Sequence, residues 1–139
     1  MSKIFIYIAL LSSLLFADIR TIEVNEEIIK SGIPVIDIRT HSEWQETGIV
    51  KGAIPITFFD EQGRYDVDVF LQELNKHVSK EKEFALICRT GSRTTAVSEL
   101  LSKQGYQVVN LKGGMKALIQ KGYVPAPYQH RRRLCIPMN

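Results

Sequence analysis

Short apolar runs alternate with amphipathic stretches along most of this chain of 139 residues. The clearest runs are 34–38, 83–88 and 107–111, and their β-branched residues are typical of buried strands. Apolar positions spaced by three or four residues predict helices over 66–78 and 92–104. The alternation predicts an α/β fold in three layers, a central and mostly parallel sheet with helices on both faces.

Shorter elements are predicted from local signals. Asn25 can cap a helix over 26–30, and Gly32 can end it. Ser42 followed by Gln45 fits a capping box and predicts a short helix around 43–46. An extended piece is predicted over 53–56 and a last helix over 115–120, after the Gly113-Gly114 turn.

The first residues differ from the rest of the chain. Lys3 precedes an apolar stretch over 4–16, which Ala17 ends before the first acidic residue. This is the pattern of a secretory signal, and the stretch is shorter than the about 20 residues that span a bilayer. A membrane anchor or a buried first helix is the alternative interpretation. We expect an exported protein, periplasmic or secreted, with a signal peptide over 1–17, a domain over 18–124 and a basic tail over 125–139.

Composition and charge describe an ordinary globular domain. Hydrophobic residues make up 45% and charged residues 24% of the chain, which excludes a disordered protein. The formal net charge is +3, but Arg131, Arg132 and Arg133 lie together in the tail and leave the body close to neutral. We interpret this run as a solvated tail rather than a nucleic-acid patch, and we expect no nucleic-acid partner.

The two cysteines, Cys88 and Cys135, fit no metal pattern. The chain has no Cys-x-x-Cys motif, and its histidines are scattered, so we expect neither a metal nor another cofactor. Cys135 is either an idle tail thiol or, in an oxidising compartment, a disulfide partner of Cys88.

Cys88 is the residue that best indicates chemistry. It ends an apolar strand and begins a short loop that contains Arg89, Gly91 and Arg93, and a helical pattern follows directly. Backbone N–H groups and the dipole at a helix N-terminus both favour an anion, and therefore a thiolate over a thiol. The sequence predicts a nucleophilic cysteine with an anion site around it.

Motifs in a fixed order then indicate a family. They are 35–39 with the Glu43-Trp44 pair, the glycine-bounded loop 48–56, the loop 88–93, and 110–114 with its double glycine. From about Thr21 to Tyr123 the chain resembles a single rhodanese domain, the sulfurtransferase module. It departs from the usual pattern at Ile49, where many members have histidine, and at Lys116-Ala117, near which many have tryptophan.

The resemblance implies a sulfurtransferase that works through a persulfide on Cys88. Sulfur passes from thiosulfate or polysulfide to a thiophilic acceptor, so small sulfur anions, or a protein thiol as acceptor, are the expected partners. Amides of the loop, the Ser92 and Thr94 hydroxyls and the arginines suit an anionic sulfur and donor. The expected substrate-binding residues are Arg89, Thr90, Gly91, Ser92, Arg93 and Thr94.

Neighbouring polar residues receive more ordinary roles. We expect Asp37 and Arg39 to brace the loops by pairing, Trp44 to pack, and His41 to lie at the surface. Ser92 can also serve as the N-cap of the helix that follows Cys88.

Two other functions remain open. Cysteine-dependent phosphatases use a similar loop, but with one residue more between cysteine and arginine, and Ile87 stands where they usually have histidine. The shorter loop here suits one sulfur atom better than a phosphate. A sulfur carrier without fast turnover is the second alternative.

Overall fold

The computed structural model describes residues 19–129, in which strands and helices alternate. The strands are β1 (Arg20–Glu23), β2 (Val35–Asp37), β3 (Ile54–Pro55), β4 (Phe84–Ile87) and β5 (Val108–Lys112). The helices are α1 (Glu26–Lys30), α2 (His41–Thr47), α3 (Val67–Leu74), α4 (Ser92–Lys103) and α5 (Gly114–Gln120). The strands form one sheet in the order β1-β5-β4-β2-β3, and every pairing in it is parallel. The predicted α/β fold is confirmed.

The sheet is covered on both faces because alternate residues of its central strands point to opposite sides. Phe84 and Leu86 of β4 join one apolar cluster with residues of α3 and α4. Ala85 and Ile87 join a second cluster with residues of α1 and α5. All four β4 residues are fully buried, which explains the uninterrupted apolar run in the sequence.

The capping box of α2 lies two residues earlier than predicted. Thr40, not Ser42, is the N-cap: its side chain accepts from the Glu43 amide, and the Glu43 carboxylate accepts from the Thr40 amide. The Ser42 hydroxyl donates instead to Glu61 Oε1 at 2.6 Å. The predicted cap at Asn25 is confirmed, and Asp66 is the N-cap of α3; each accepts from a backbone amide of the first helical turn.

Two elements differ from the prediction. β1 was not predicted, because it is a four-residue edge strand with three exposed residues and therefore lacks an apolar run. α3 ends at Leu74, although the apolar spacing continues to Val78, which still packs against the core from the turn that follows.

The packed chain extends beyond residue 124, where the sequence predicted a tail. Ala126 forms an antiparallel bridge with Ile49, and the Tyr128 ring lies 5.3 Å from the rings of His41 and Trp44. His41 is half-buried against these two rings rather than fully at the surface. The predicted signal segment 1–17, the arginine run 131–133 and Cys135 lie outside the described residues.

Candidate active site

The candidate site lies between two neighbouring parallel strands whose following connections cross to opposite sides of the sheet. β2 and β4 are adjacent, but β2 continues towards β3 on one side and β4 towards β5 on the other. This arrangement opens a crevice at the carboxyl ends of the strands. Cys88 follows β4 directly, so its loop begins at that crevice.

The Cys88 sulfur is fully buried and in contact with polar groups of its own loop. The Gly91 amide donates to Sγ at 3.1 Å, and Thr94 Oγ1 lies 3.7 Å from the same atom. α4 begins at Ser92, so the sulfur also faces the positive end of a 12-residue helix. These contacts can hold a thiolate or a persulfide anion in place.

Gly91 turns the loop back towards the sulfur. Its φ is +96°, in the left-handed region that favours glycine. Its carbonyl accepts hydrogen bonds from Thr94 Oγ1 at 3.0 Å and Thr95 Oγ1 at 2.9 Å. Asn110 Nδ2 on β5 in turn donates to Thr95 Oγ1 at 3.3 Å. A chain of hydrogen bonds thus connects β5 to the peptide whose amide contacts the sulfur.

The start of α5 holds the other side of the loop. The Met115 amide donates to the Cys88 carbonyl and the Lys116 amide to the Arg89 carbonyl, both at 2.9 Å. In a trans peptide the N–H points away from the C=O of the preceding residue. The N–H groups of Arg89 and Thr90 therefore point away from α5, on the side of the loop opposite the carbonyl groups that α5 binds.

The double glycine allows this close approach. A Cβ on Gly114 would lie 2.5 Å from the Cys88 carbonyl oxygen, and one on Gly91 would lie 3.0 Å from the Gly113 amide nitrogen. The loop and the turn before α5 can thus pack backbone against backbone only without side chains at these positions.

Arg93 is bound to α2 by two short hydrogen bonds. Its guanidinium donates to Glu43 Oε1 at 2.6 Å and Oε2 at 2.7 Å. Burial raises the pKa of Glu43, but hydrogen bonds from Arg93 and Thr40 outweigh this effect and lower it to about 2. The hydrogen bonds to Glu43 raise the pKa of Arg93 against the opposing effect of burial. The pair stays ionised at neutral pH and fixes the end of the loop.

A second ion pair lies beneath the site. Arg39 and Asp37 are both almost fully buried, with Nη2 and Oδ2 2.7 Å apart. Arg39 also donates to Thr47 Oγ1 and to the Gly48 carbonyl, each at 2.7 Å. The predicted bracing role of this pair and the packing role of the buried Trp44 are confirmed.

The remaining predicted site residues lie on the outer side of the loop. Arg89, Thr90 and Ser92 are exposed, and the Thr90 and Ser92 hydroxyl oxygens lie 3.4 Å apart. Ser92 is the first helical residue and not the N-cap, a position that Gly91 occupies without a side-chain bond. Sequence reasoning did not identify Asn110 or the carboxylate of Glu43 as supports of the loop, although both residues belong to the motifs it used.

Residues 19–129 contain neither a candidate metal site nor a membrane-spanning helix. No three histidine, cysteine or acidic side chains of this segment are grouped so that they could bind a metal ion. None of its helices has the length and hydropathy needed to cross a membrane.

The fold and the loop together define a single α/β domain with a buried cysteine whose sulfur accepts a hydrogen bond from a loop amide beside a helix N-terminus. A family model described as the rhodanese-like domain matches residues 21–121. The chain therefore belongs to the rhodanese family.

Relatives agree with this family but differ in function. The "Putative sulfurtransferase YtwF" of Bacillus subtilis (strain 168) is 33% identical over 96 residues, 69% of this chain and 78% of that protein. The tRNA uridine(34) hydroxylase of Acinetobacter baylyi is 34% identical over 101 residues, which are 71% of this chain but only 30% of that protein. A crystal structure of a rhodanese-related protein from Thermoplasma volcanium has a TM-score of 0.54 and 30% identity, and the match covers 73% of this chain and 93% of that one.

Proposed function

We propose that this protein is a sulfurtransferase that moves sulfane sulfur from thiosulfate or polysulfide to a thiophilic acceptor through a Cys88 persulfide. The observation that carries the proposal is the Gly91 amide, which donates to the Cys88 sulfur at 3.1 Å beside the N-terminus of α4. Such a donor stabilises an anionic sulfur both before and after it is loaded. The Bacillus subtilis relative named "Putative sulfurtransferase YtwF" supports the same class of reaction.

The first half-reaction loads the cysteine. The Cys88 thiolate attacks the outer sulfur of thiosulfate, a new S–S bond forms, and the bond to the sulfonate sulfur breaks. Its electron pair leaves with sulfite, and Cys88 holds a persulfide anion. The loop amides and the exposed Arg89 suit this change because the incoming ion and the product on Cys88 are both anionic.

The second half-reaction returns the cysteine to its initial state. A nucleophile such as cyanide, sulfite or a thiolate attacks the outer sulfur, and the electron pair of the S–S bond returns to Cys88. No oxidant or reductant is consumed beyond donor and acceptor. Two separate half-reactions predict ping-pong kinetics.

Loading and turnover can be measured separately. After incubation with thiosulfate, the intact mass should increase by one sulfur atom, and this increase should be absent in Cys88→Ser. With cyanide added, thiocyanate should form over many turnovers. Wild-type protein that takes up no sulfur from thiosulfate or polysulfide would overturn the proposal, whereas loading without turnover would leave a sulfur carrier.

A phosphatase fits the geometry less well. Both terminal nitrogens of Arg93 are bound to Glu43, so the guanidinium does not present a free fork to a phosphate. Incubation with an aryl phosphate should release no phosphate above the Cys88→Ser background.

Export belongs to the same proposal and rests on the apolar stretch over 4–16 alone. The protein recovered from fractionated cells should begin at Asp18 and lie outside the cytoplasm. A cytoplasmic protein that retains residues 1–17 would refute export without affecting the chemistry at Cys88.

A further inference from the structure

A groove of about 680 Å³ lies beside β3, at the edge of the sheet. One wall is the chain over residues 55–58, and the other is drawn from residues 60–76, which include α3. No residue of the Cys88 loop lines this groove, and α3 packs on the opposite face of the sheet from α5. The groove is therefore separate from the candidate active site.

The wall next to β3 carries backbone groups that another segment could pair with. The amides of Ile56 and Phe58 donate towards β2, to the carbonyls of residues 37 and 38, at 3.0 and 3.2 Å. Successive peptide groups of an extended chain point to opposite edges, so the N–H and C=O of Thr57 point away from β2. Neither group forms a hydrogen bond within the described chain. Unpaired edge groups of this kind suit an extended ligand.

The opposite wall presents exposed apolar side chains. Tyr65 and Val69 are 59% and 61% exposed, and both line the groove. The Tyr65 ring stacks on the buried Phe58, with ring centroids 5.4 Å apart and an angle of 18° between the planes. This contact holds the ring in place while most of it stays open to solvent. The face of an aromatic ring attracts cations, and guanidinium groups most often.

The same wall is acidic. Residues 60–73 form an acidic stretch, with five acidic residues and one basic residue. Three carboxylates of this stretch line the groove, those of Asp60, Asp66 and Glu73. The cations that line it, Arg64 and Lys76, are already paired with Asp60 and Glu73. The groove therefore favours a ligand that is cationic and partly apolar.

The described chain ends close to the acidic stretch. The Tyr128 ring lies 5.3 Å from the His41 ring, and the neighbouring Ser42 donates to Glu61 Oε1 at 2.6 Å. Glu61 adjoins Asp60, which lines the groove. The residues that follow 129 therefore begin near the groove.

The sequence of those residues has the chemistry that the groove favours. Residues 131–133 are arginines, and Leu134 and Ile136 follow them. In an extended segment, residues 134 and 136 point to the same side. The three residues from 129 to 131 span up to about 10 Å, which brings the arginines within reach of the acidic stretch.

We infer that residues 131–136 of this chain bind in the groove as an extended segment, rather than forming a solvated tail. The arginines would face the carboxylates of the acidic stretch and the Tyr65 ring. The two apolar side chains would lie against Val69, and the backbone would pair with Thr57. This docking is independent of sulfur chemistry, so the proposed function and the inference stand or fall separately.

The first test observes the groove by NMR in full-length protein. Wild type is compared with a triple variant in which each of the arginines 131–133 is replaced by glutamate. The methyl signals of Val69 and the ring signals of Tyr65 should shift, whereas those of Leu118, in the cluster on the other face of the sheet, should not. Unaltered Val69 and Tyr65 signals would overturn the inference. So would wild-type shifts that change on dilution, because a second copy would then be the occupant.

The second test is a charge-swap cycle in urea unfolding. Glu73→Lys and the triple variant should each lower the midpoint, and their combination should recover part of the loss, because the swapped charges attract again. The cycle also cancels the effect of Glu73→Lys on Lys76. Glu99→Lys, the same change at an exposed position of α4, is the matched control and should be additive with the triple variant. Additive losses in the Glu73 cycle would refute docking in this groove.

Discussion

Replacement of Gly114 by alanine tests whether α5 positions the Cys88 loop. The added Cβ would lie 2.5 Å from the Cys88 carbonyl oxygen and 2.6 Å from the Arg89 carbonyl carbon, below the 3.0 Å that real Cβ contacts respect. Loop and helix must therefore separate by at least about half an ångström. Because a misplacement of about 1 Å can cost about 10²-fold in rate, we expect kcat to fall by about tenfold or more.

The same change should also destabilise the domain. Left-handed backbone, here with φ +61°, costs a non-glycine residue about 1–2 kcal/mol, and forced overpacking adds about 1–3 kcal/mol. Gly122→Ala is the matched control: its φ is +98°, but a Cβ there would have no atom within 4 Å. Gly122→Ala should lose only the free energy of unfolding that the positive φ costs, and it should keep the wild-type kcat.

Urea unfolding and steady-state thiocyanate formation, measured on folded protein of both variants, separate the two effects. The critical comparison is between the variants and not with wild type, since both place a non-glycine residue at a positive φ. If Gly114→Ala has the same kcat as Gly122→Ala, the hydrogen bonds from α5 to the loop carbonyls do not set the geometry of the sulfur site.

Three further predictions concern the supports of the site. Asp37→Asn removes one partner of a buried ion pair and should lower the free energy of unfolding, measured in urea, by about 3–5 kcal/mol. The exposed Asp68→Asn, which only removes a charge from the first turn of α3, should lower it by no more than about 1 kcal/mol. Because folding lowers the pKa of Glu43 to about 2, the ionised carboxylate stabilises the fold at pH values above its ordinary pKa near 4.5. This stabilisation is lost as the pH falls towards 2, so the difference in Tm between wild type and Glu43→Gln should close over that range. A constant difference would contradict the assignment. Asn110→Ala should reduce kcat about fivefold, the equivalent of about 1 kcal/mol for one hydrogen bond. Adding Thr95→Val should reduce kcat little further, because both side chains act through the Gly91 carbonyl. Additive losses would argue against this chain of hydrogen bonds.

The central strands and longer helices could be predicted because their signals are local. β4 is apolar at every position since both of its faces are covered, and α3 has an acidic N-cap with a helical period after it. β1 lacks such a signal because its order comes from pairing with β5, far along the chain. Near α2, Thr40 and Ser42 both fit a capping box; in the folded chain Thr40 is the cap, and Ser42 donates to Glu61, 19 residues away.

In the candidate site, too, the features with local signals could be predicted and those that depend on distant contacts could not. The position of Cys88 and the glycine at 91 follow from a strand end and a helix start, which adjacent residues define. The partner of Arg93 lies 50 residues earlier, and the amides that donate to the Cys88 and Arg89 carbonyls belong to a later helix. Such contacts depend on the sheet order, which the local pattern does not specify.

The packing of residues 126 and 128 against Ile49 and α2 has a consequence for how the molecule is assembled. Residues 126 and 128 lie at the end of the described chain and pack against Ile49 and Trp44 of α2. The same helix provides the Glu43 carboxylate that binds Arg93. Contacts between distant parts of a chain form late, because the loop between them must close first. Sulfur transfer should therefore be among the last properties that a refolding sample regains, after the core strands have paired.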